Sequence, residues 1–116
     1  MAKAVGIGGV FFRSHDTEAT GAWYRTHLGI EVGHSPWEQQ AGPTVFAPFK
    51  ADSDYFPADQ QVMLNLRVDD IAGLIASLTE AGITVETRAE WDGDYGKFAR
   101  IHDPEGRAIE LWQPPA

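Results

Sequence analysis

The sequence predicts an α+β fold made of two β-α-β-β-β modules with a mostly antiparallel sheet. Three observations carry that expectation. Two segments, about 5–49 and about 61–113, follow the same order of apolar strand, acidic helix start, helix and glycine stop. The glycines that end the two helices, Gly29 and Gly82, each precede a short apolar run, and repetition at this scale suggests a duplicated supersecondary unit. The chain then closes on a hairpin, in which two strand-like runs flank Asp103-Pro104-Glu105-Gly106. Proline second and glycine fourth suit a type I turn.

Each element has a local reason. Gly6 to Phe12 and Val62 to Val68 are apolar enough for strands. Asp16 and Asp69-Asp70 stand where helices begin; their oxygens can accept from unpaired backbone N–H groups, and their charge suits the positive helix end. Ile71, Leu74, Ile75 and Leu78 recur at the spacing of one helical face. Ala19, Ala22, Trp23 and Leu28 form a broader stripe on the first helix. Gly29-Ile30-Glu31-Val32 and Gly82-Ile83-Thr84-Val85 are matching strands. Thr44 to Phe49 is a further candidate cut short by Pro48, and residues 50–59 read as the linker between modules. Phe98 to His102 and Arg107 to Trp112 are the closing strands. Physics alone does not say how the modules join.

With 116 residues the chain suits one domain. A net charge of −8 repels phosphate backbones and anionic lipid, so neither nucleic acid nor membrane is an expected partner. The same charge favours either a cationic ligand or simple solubility. The absence of cysteine excludes disulfides, thiolate metal sites and cysteine nucleophiles. Met1 to Phe12 lacks the basic start and long apolar run of a signal peptide, so a cytoplasmic protein is expected. The Gly6-x-Gly8-Gly9 run is no dinucleotide fingerprint, because it lies within a strand and opens no helix.

Three motifs together resemble the vicinal-oxygen-chelate superfamily of glyoxalases, bleomycin-resistance proteins and extradiol dioxygenases. They are Trp23-Tyr24-Arg25-x-x-Leu28-Gly29, Leu66-Arg67-Val68-Asp69-Asp70, and Tyr95-Gly96 followed by Asp103-Pro104-x-Gly106-x-x-Ile109-Glu110-Leu111. The likeness runs from about Ile7 to Trp112, and the hairpin is its most specific part. It implies paired modules forming a U-shaped, partly open mixed β-barrel around a ligand cavity, with flanking helices. It also implies a homodimer, with or without exchange of modules. Many members hold a divalent metal that chelates two adjacent substrate oxygens; others sequester a drug without one.

The resemblance places metal ligands at three positions. Here they are Gly9, Met63 and Glu110, and only the last can ligate. A further ligand position at the end of module one offers only Phe46, Ala47 or Phe49. A register slip would bring in Gln61 or Asn65, both poor substitutes for imidazole. A lone carboxylate holds a divalent ion weakly, so no metal or other cofactor is expected.

Strand alternation sorts the remaining candidates. Met63, Asn65 and Arg67 share one face of their strand, as do Ala108, Glu110 and Trp112. The resemblance turns Phe98 and Arg100 toward the same side, whereas a simple hairpin register would reverse them. Phe11, Met63, Phe98 and Trp112 then give apolar wall, and Asn65, Arg67, Arg100 and Glu110 give polar groups, a mixture suited to a small organic ligand. Trp37, Phe46 and Tyr95 either close the cavity mouth or belong to core or dimer surface. Glu110 is the candidate catalytic residue, acting as a base if its aromatic neighbours desolvate it. Its structural alternative is an ion pair with Arg67 or Arg100. His34 and His102 are candidates for titration near neutrality, while His15 and His27 read as surface residues.

Three functions fit. The first is a metal-free binder of a small organic molecule. The second is a lyase, isomerase or dioxygenase relative using Glu110. The third is a dimeric interaction module whose cavity its own side chains fill.

Overall fold

The computed structural model describes residues 2–33 and 35–116; the expectation for His34 lies outside the described residues. Two helices pack on one side of a three-stranded sheet. Helix α1 is Thr17–Leu28 and α2 is Ile71–Glu80. Strand β1 is Leu64–Arg67, β2 is Lys97–His102 and β3 is Ala108–Gln113. The sheet order is β1-β3-β2, with β1 parallel and β2 antiparallel to the central β3.

The helix ends follow the local chemistry. The Asp16 carboxylate accepts from the Ala19 N–H at 3.0 Å, and that of Asp70 from the Gly73 N–H at 3.0 Å. Gly29 caps α1 at φ +68, a left-handed backbone natural to glycine. The core lies between helices and sheet. Leu78, Ile101, Ile109 and Leu111 are fully buried, joined by Ile71, Ala99 and Tyr24.

Strands occur only in the second half among the described residues. It follows the expected order, with its second strand reduced to a single bridge between Glu86 and Arg100. The first half contributes α1 but no ladder: 6–12, 29–32 and 44–49 lie outside any strand. A strand exists only through a partner's N–H and C=O groups. The Gly6, Gly8 and Gly9 backbone is costly to order, and Pro43 and Pro48 lack donors. The outer edge of β1 is correspondingly open.

A clasp joins the halves. The Tyr24 hydroxyl donates to Asp103 at 2.7 Å, and Arg107 pairs with the same buried carboxylate. Asp103 also accepts from the N–H groups of Glu105 and Arg107, which shapes the turn, while Gly106 N–H donates to the Asp103 carbonyl at 2.9 Å. Glu105 receives the Ser14 hydroxyl at 2.6 Å, the Thr20 hydroxyl at 3.1 Å, and the N–H groups of His15 and Asp16 at the start of α1. These donors, Ser14 foremost, hold its carboxyl down at about 2. Two of the three motifs that carry the family resemblance, those of Tyr24 and Asp103, therefore meet across the clasp.

Candidate functional site

The face of the sheet turned away from the helices carries the chemistry. On β3 the side chains alternate, so Ile109 and Leu111 enter the core while Glu110 and Trp112 turn the other way. The register settles the hairpin: Phe98 stands opposite Trp112 and Arg100 opposite Glu110. Directly opposed residues share a face. From β1, Asn65 stands beside Glu110 and Arg67 beside Trp112. The structure thus brings Asn65, Arg67, Phe98, Arg100, Glu110 and Trp112 onto one surface.

Phe98 and Trp112 lie nearly parallel, with 8° between planes and 6.2 Å between centroids. The Trp112 indole Nε1–H donates to the Tyr95 carbonyl at 2.7 Å, which fixes the ring. Glu110 is only 8% exposed. Asn65 Nδ2 donates to its Oε1 at 2.7 Å, and the Tyr55 hydroxyl donates to its Oε2. Glu110 forms no ion pair among the described residues, so the expected bridge to Arg67 or Arg100 is replaced by two neutral donors. Arg100 instead donates from Nη2 to the Tyr55 carbonyl at 2.8 Å, and its guanidinium lies 5.0 Å from the Tyr55 ring centroid and 5.8 Å from that of Trp91. Its Nε–H is buried without an acceptor. Arg67 donates to the Gln40 carbonyl at 3.1 Å.

Tyr55 belongs to the segment read as a linker. That segment is a strap laid on this face. Phe49 gathers Tyr55 and Phe56 into an aromatic cluster, its ring centroid 5.6 Å from each of theirs. Downstream, the Gln60 side chain bonds the Ala108 backbone in both directions, at 2.9 and 3.0 Å. Burial and the Glu110 carboxylate push the Tyr55 hydroxyl up to about 12, so it keeps its proton near neutrality. Aromatic residues among the Asp, Ser and Pro of 50–59 were the available signal for a packed strap.

The other candidates are dispersed. Phe11 (96%) and Phe46 (89%) are exposed outside the sheet, and Tyr95 is exposed beyond its carbonyl contact. Met63 is half-buried just before β1. Trp37 joins Arg67, Leu28, Ile30 and Leu74 around a cleft of about 40 Å³ at the open edge of β1. An open groove of about 300 Å³ runs between Gly93, Gly96, Lys97 and Pro114. Neither is lined by Glu110, and the first opens on the helix side of the sheet among Leu66, Leu74 and Leu111; Glu110 itself lies under Tyr55. His102 is exposed, His15 meets Glu105 through its backbone, and His27 is half-buried against Trp23.

The donor set does not fit the divalent ion that the resemblance implies. Both Glu110 oxygens are occupied by donors, and its polar neighbours are an amide N–H, a phenol and a guanidinium. No three His, Cys, Asp or Glu side chains gather among the described residues. No helix among them is long and apolar enough to cross a membrane. The surface can stack a flat molecule and exchange hydrogen bonds with it.

The profile of the family described as "Glyoxalase-like domain" matches residues 9–112. No curated protein matches the chain. Among solved structures, TnmS3, an antibiotic binding protein from Streptomyces sp. CB03234, is 26% identical with a TM-score of 0.63, over 98% of this chain and all of that one. A glyoxalase/bleomycin resistance protein from the same strain is 28% identical with a TM-score of 0.53, over 84% of this chain and 91% of that one. A protein from the mobile metagenome of V. Pseudocholerae shares the fold at 16% identity and a TM-score of 0.53, over 93% of this chain and all of that one. With a match across nearly its whole length, and with the Tyr24 and Asp103 motifs of that likeness meeting in its clasp, the chain belongs to the glyoxalase-like domain family of the vicinal-oxygen-chelate superfamily.

Proposed function

We propose that the protein binds a small organic molecule on the sheet face of Phe98, Arg100, Glu110 and Trp112, without a metal ion. One observation carries this reading: Glu110 is committed to two neutral donors beside a pair of parallel aromatic rings. Stacking and a few placed polar groups are what a small-molecule site needs. The likeness to an antibiotic binding protein over nearly the whole chain supports the same class of ligand.

A homodimer completes the site in this reading. Val5, Ile7, Val10, Phe11, Val45, Phe46 and Val62 are exposed, and the β1 edge is open. So much apolar surface beside a free edge calls for a partner. A second copy pairing with the first-half segments gives the two-module barrel and covers them.

A thermal-shift screen against flat organic compounds, with elemental analysis and light scattering, tests this. The reading expects stabilisation that grows with ligand concentration, substoichiometric metal and a mass of two chains. Stoichiometric metal removed together with binding overturns it.

A further inference from the structure

We propose that Tyr55 is an internal occupant of the site, holding the place of a phenolic aromatic ligand that displaces it from Glu110. The inference rests on the small-molecule reading above and names the ligand class that reading leaves open.

The hydroxyl of Tyr55 is the one O–H on the Glu110 carboxylate among the described residues; the other oxygen is held by Asn65. The ring of Tyr55 lies under the Arg100 guanidinium. A phenol on this carboxylate, with its ring against this cation, is therefore an arrangement the site already accepts. The arrangement is also incomplete. Arg100 Nε–H is buried with no acceptor, since Tyr55 offers its carbonyl to Nη2 alone. A buried donor left unpaired favours any occupant that supplies an acceptor there. A ligand bearing, besides its hydroxyl, a carbonyl that the hydroxyl cannot reach internally would offer a partner to each group. Phe98 and Trp112, two residues along from the Arg100–Glu110 pair, offer stacking surface for a second ring.

The strap is suited to leave. Residues 50–60 contain no helix or strand, and Phe49, at the head of its aromatic cluster, is half exposed. Besides the Arg100 bond to the Tyr55 carbonyl, its attachment is Gln60 on Ala108, downstream of Tyr55, so the Tyr55 ring can lift while that anchor stays. The raised Tyr55 pKa keeps the hydroxyl a donor across the physiological range, as the phenol replacing it would be.

The test titrates the full-length chain with 2-naphthol, 2-methoxynaphthalene and 6-acetyl-2-naphthol, whose carbonyl is out of reach of its own hydroxyl, followed by tryptophan fluorescence. The proposal expects 2-naphthol to bind at least fivefold tighter than its methyl ether, and the hydroxy ketone tighter still. Tyr55→Phe keeps the ring but releases Glu110; removing a competing occupant raises apparent affinity by the fraction of closed sites it frees, here about threefold or more for 2-naphthol. In protein labelled with 3-fluorotyrosine, the Tyr55 resonance, assigned by its loss in Tyr55→Phe, moves to a solvent-exposed shift as 2-naphthol saturates. Equal binding of naphthol and ether, or naphthol binding with an unmoved Tyr55 resonance, overturns the proposal and leaves the small-molecule reading standing. No binding of any of the three probes, in wild type and Tyr55→Phe alike, overturns both.

Discussion

Replacing Tyr24 with phenylalanine isolates the clasp. The change removes one buried hydroxyl and leaves ring volume intact, so no cavity term enters. The lost bond is 2.7 Å long and ends on the Asp103 carboxylate that Arg107 pairs with, which is 4% exposed. Hydrogen bonds to charged groups contribute about 1.5–3 kcal/mol. Asp103 keeps Arg107 and two backbone N–H donors, so the lower part of the range applies, about 1.5–2 kcal/mol. At roughly 2.1 cal/mol/K per residue, 116 residues give an unfolding entropy of about 0.24 kcal/mol/K. The expected fall in Tm is then about 6–8 °C, read by calorimetry or circular dichroism at pH 7. Asp103→Asn alone and combined with Tyr24→Phe completes a double-mutant cycle, in which the pair must be non-additive. A Tm within about 2 °C of wild type for Tyr24→Phe, or strict additivity in the cycle, refutes the reasoning.

Leu78→Ala removes a fully buried side chain between α2 and the sheet and is expected to cost roughly 3–5 kcal/mol in urea unfolding. Gly96→Ala places a methyl against the Gln113 carbonyl at a backbone φ of +119, so a lower urea midpoint, or failure to accumulate folded protein, is expected. Glu105 supplies a pH signature. Its carboxyl lies at about 2 when folded, below its ordinary 4.5, so its contribution is complete above about 4.5 and is lost as pH falls toward 2. Urea midpoints across that window should fall more steeply for wild type than for Glu105→Gln, which should already be less stable at pH 7; parallel curves count against the clasp.

The second half was largely legible in the sequence, because its signals are local and agree with its sheet. The Ile71-Leu74-Ile75-Leu78 stripe is α2, and Asp103-Pro104-Glu105-Gly106 is the turn between β2 and β3. The hairpin register decided what alternation left open, putting Phe98 and Arg100 on the Glu110 side. The first-half strands were not legible as such. Gly6 to Phe12 has strand-like residues, yet a ladder needs a neighbour, and local sequence cannot say whether one is present. The role of Tyr55 was not legible for a related reason. Its Asp, Ser and Pro surroundings mark a loop correctly, but loop composition does not reveal that one ring reaches a carboxylate 55 residues away. The ion pair expected for Glu110 gave way to the same tyrosine.

Tips of β-hairpins are ordinarily where a chain best absorbs insertions, tags and grafted peptides. The tip between β2 and β3 inverts that expectation. Two of its four residues, Asp103 and Glu105, grip α1 at Tyr24 and at its first turn. Lengthening this tip by even one residue would shift both carboxylates off their targets at once and set the N-terminal helix adrift from the sheet. Protein engineers seeking a permissive splice point in this chain should leave these four most loop-like residues alone.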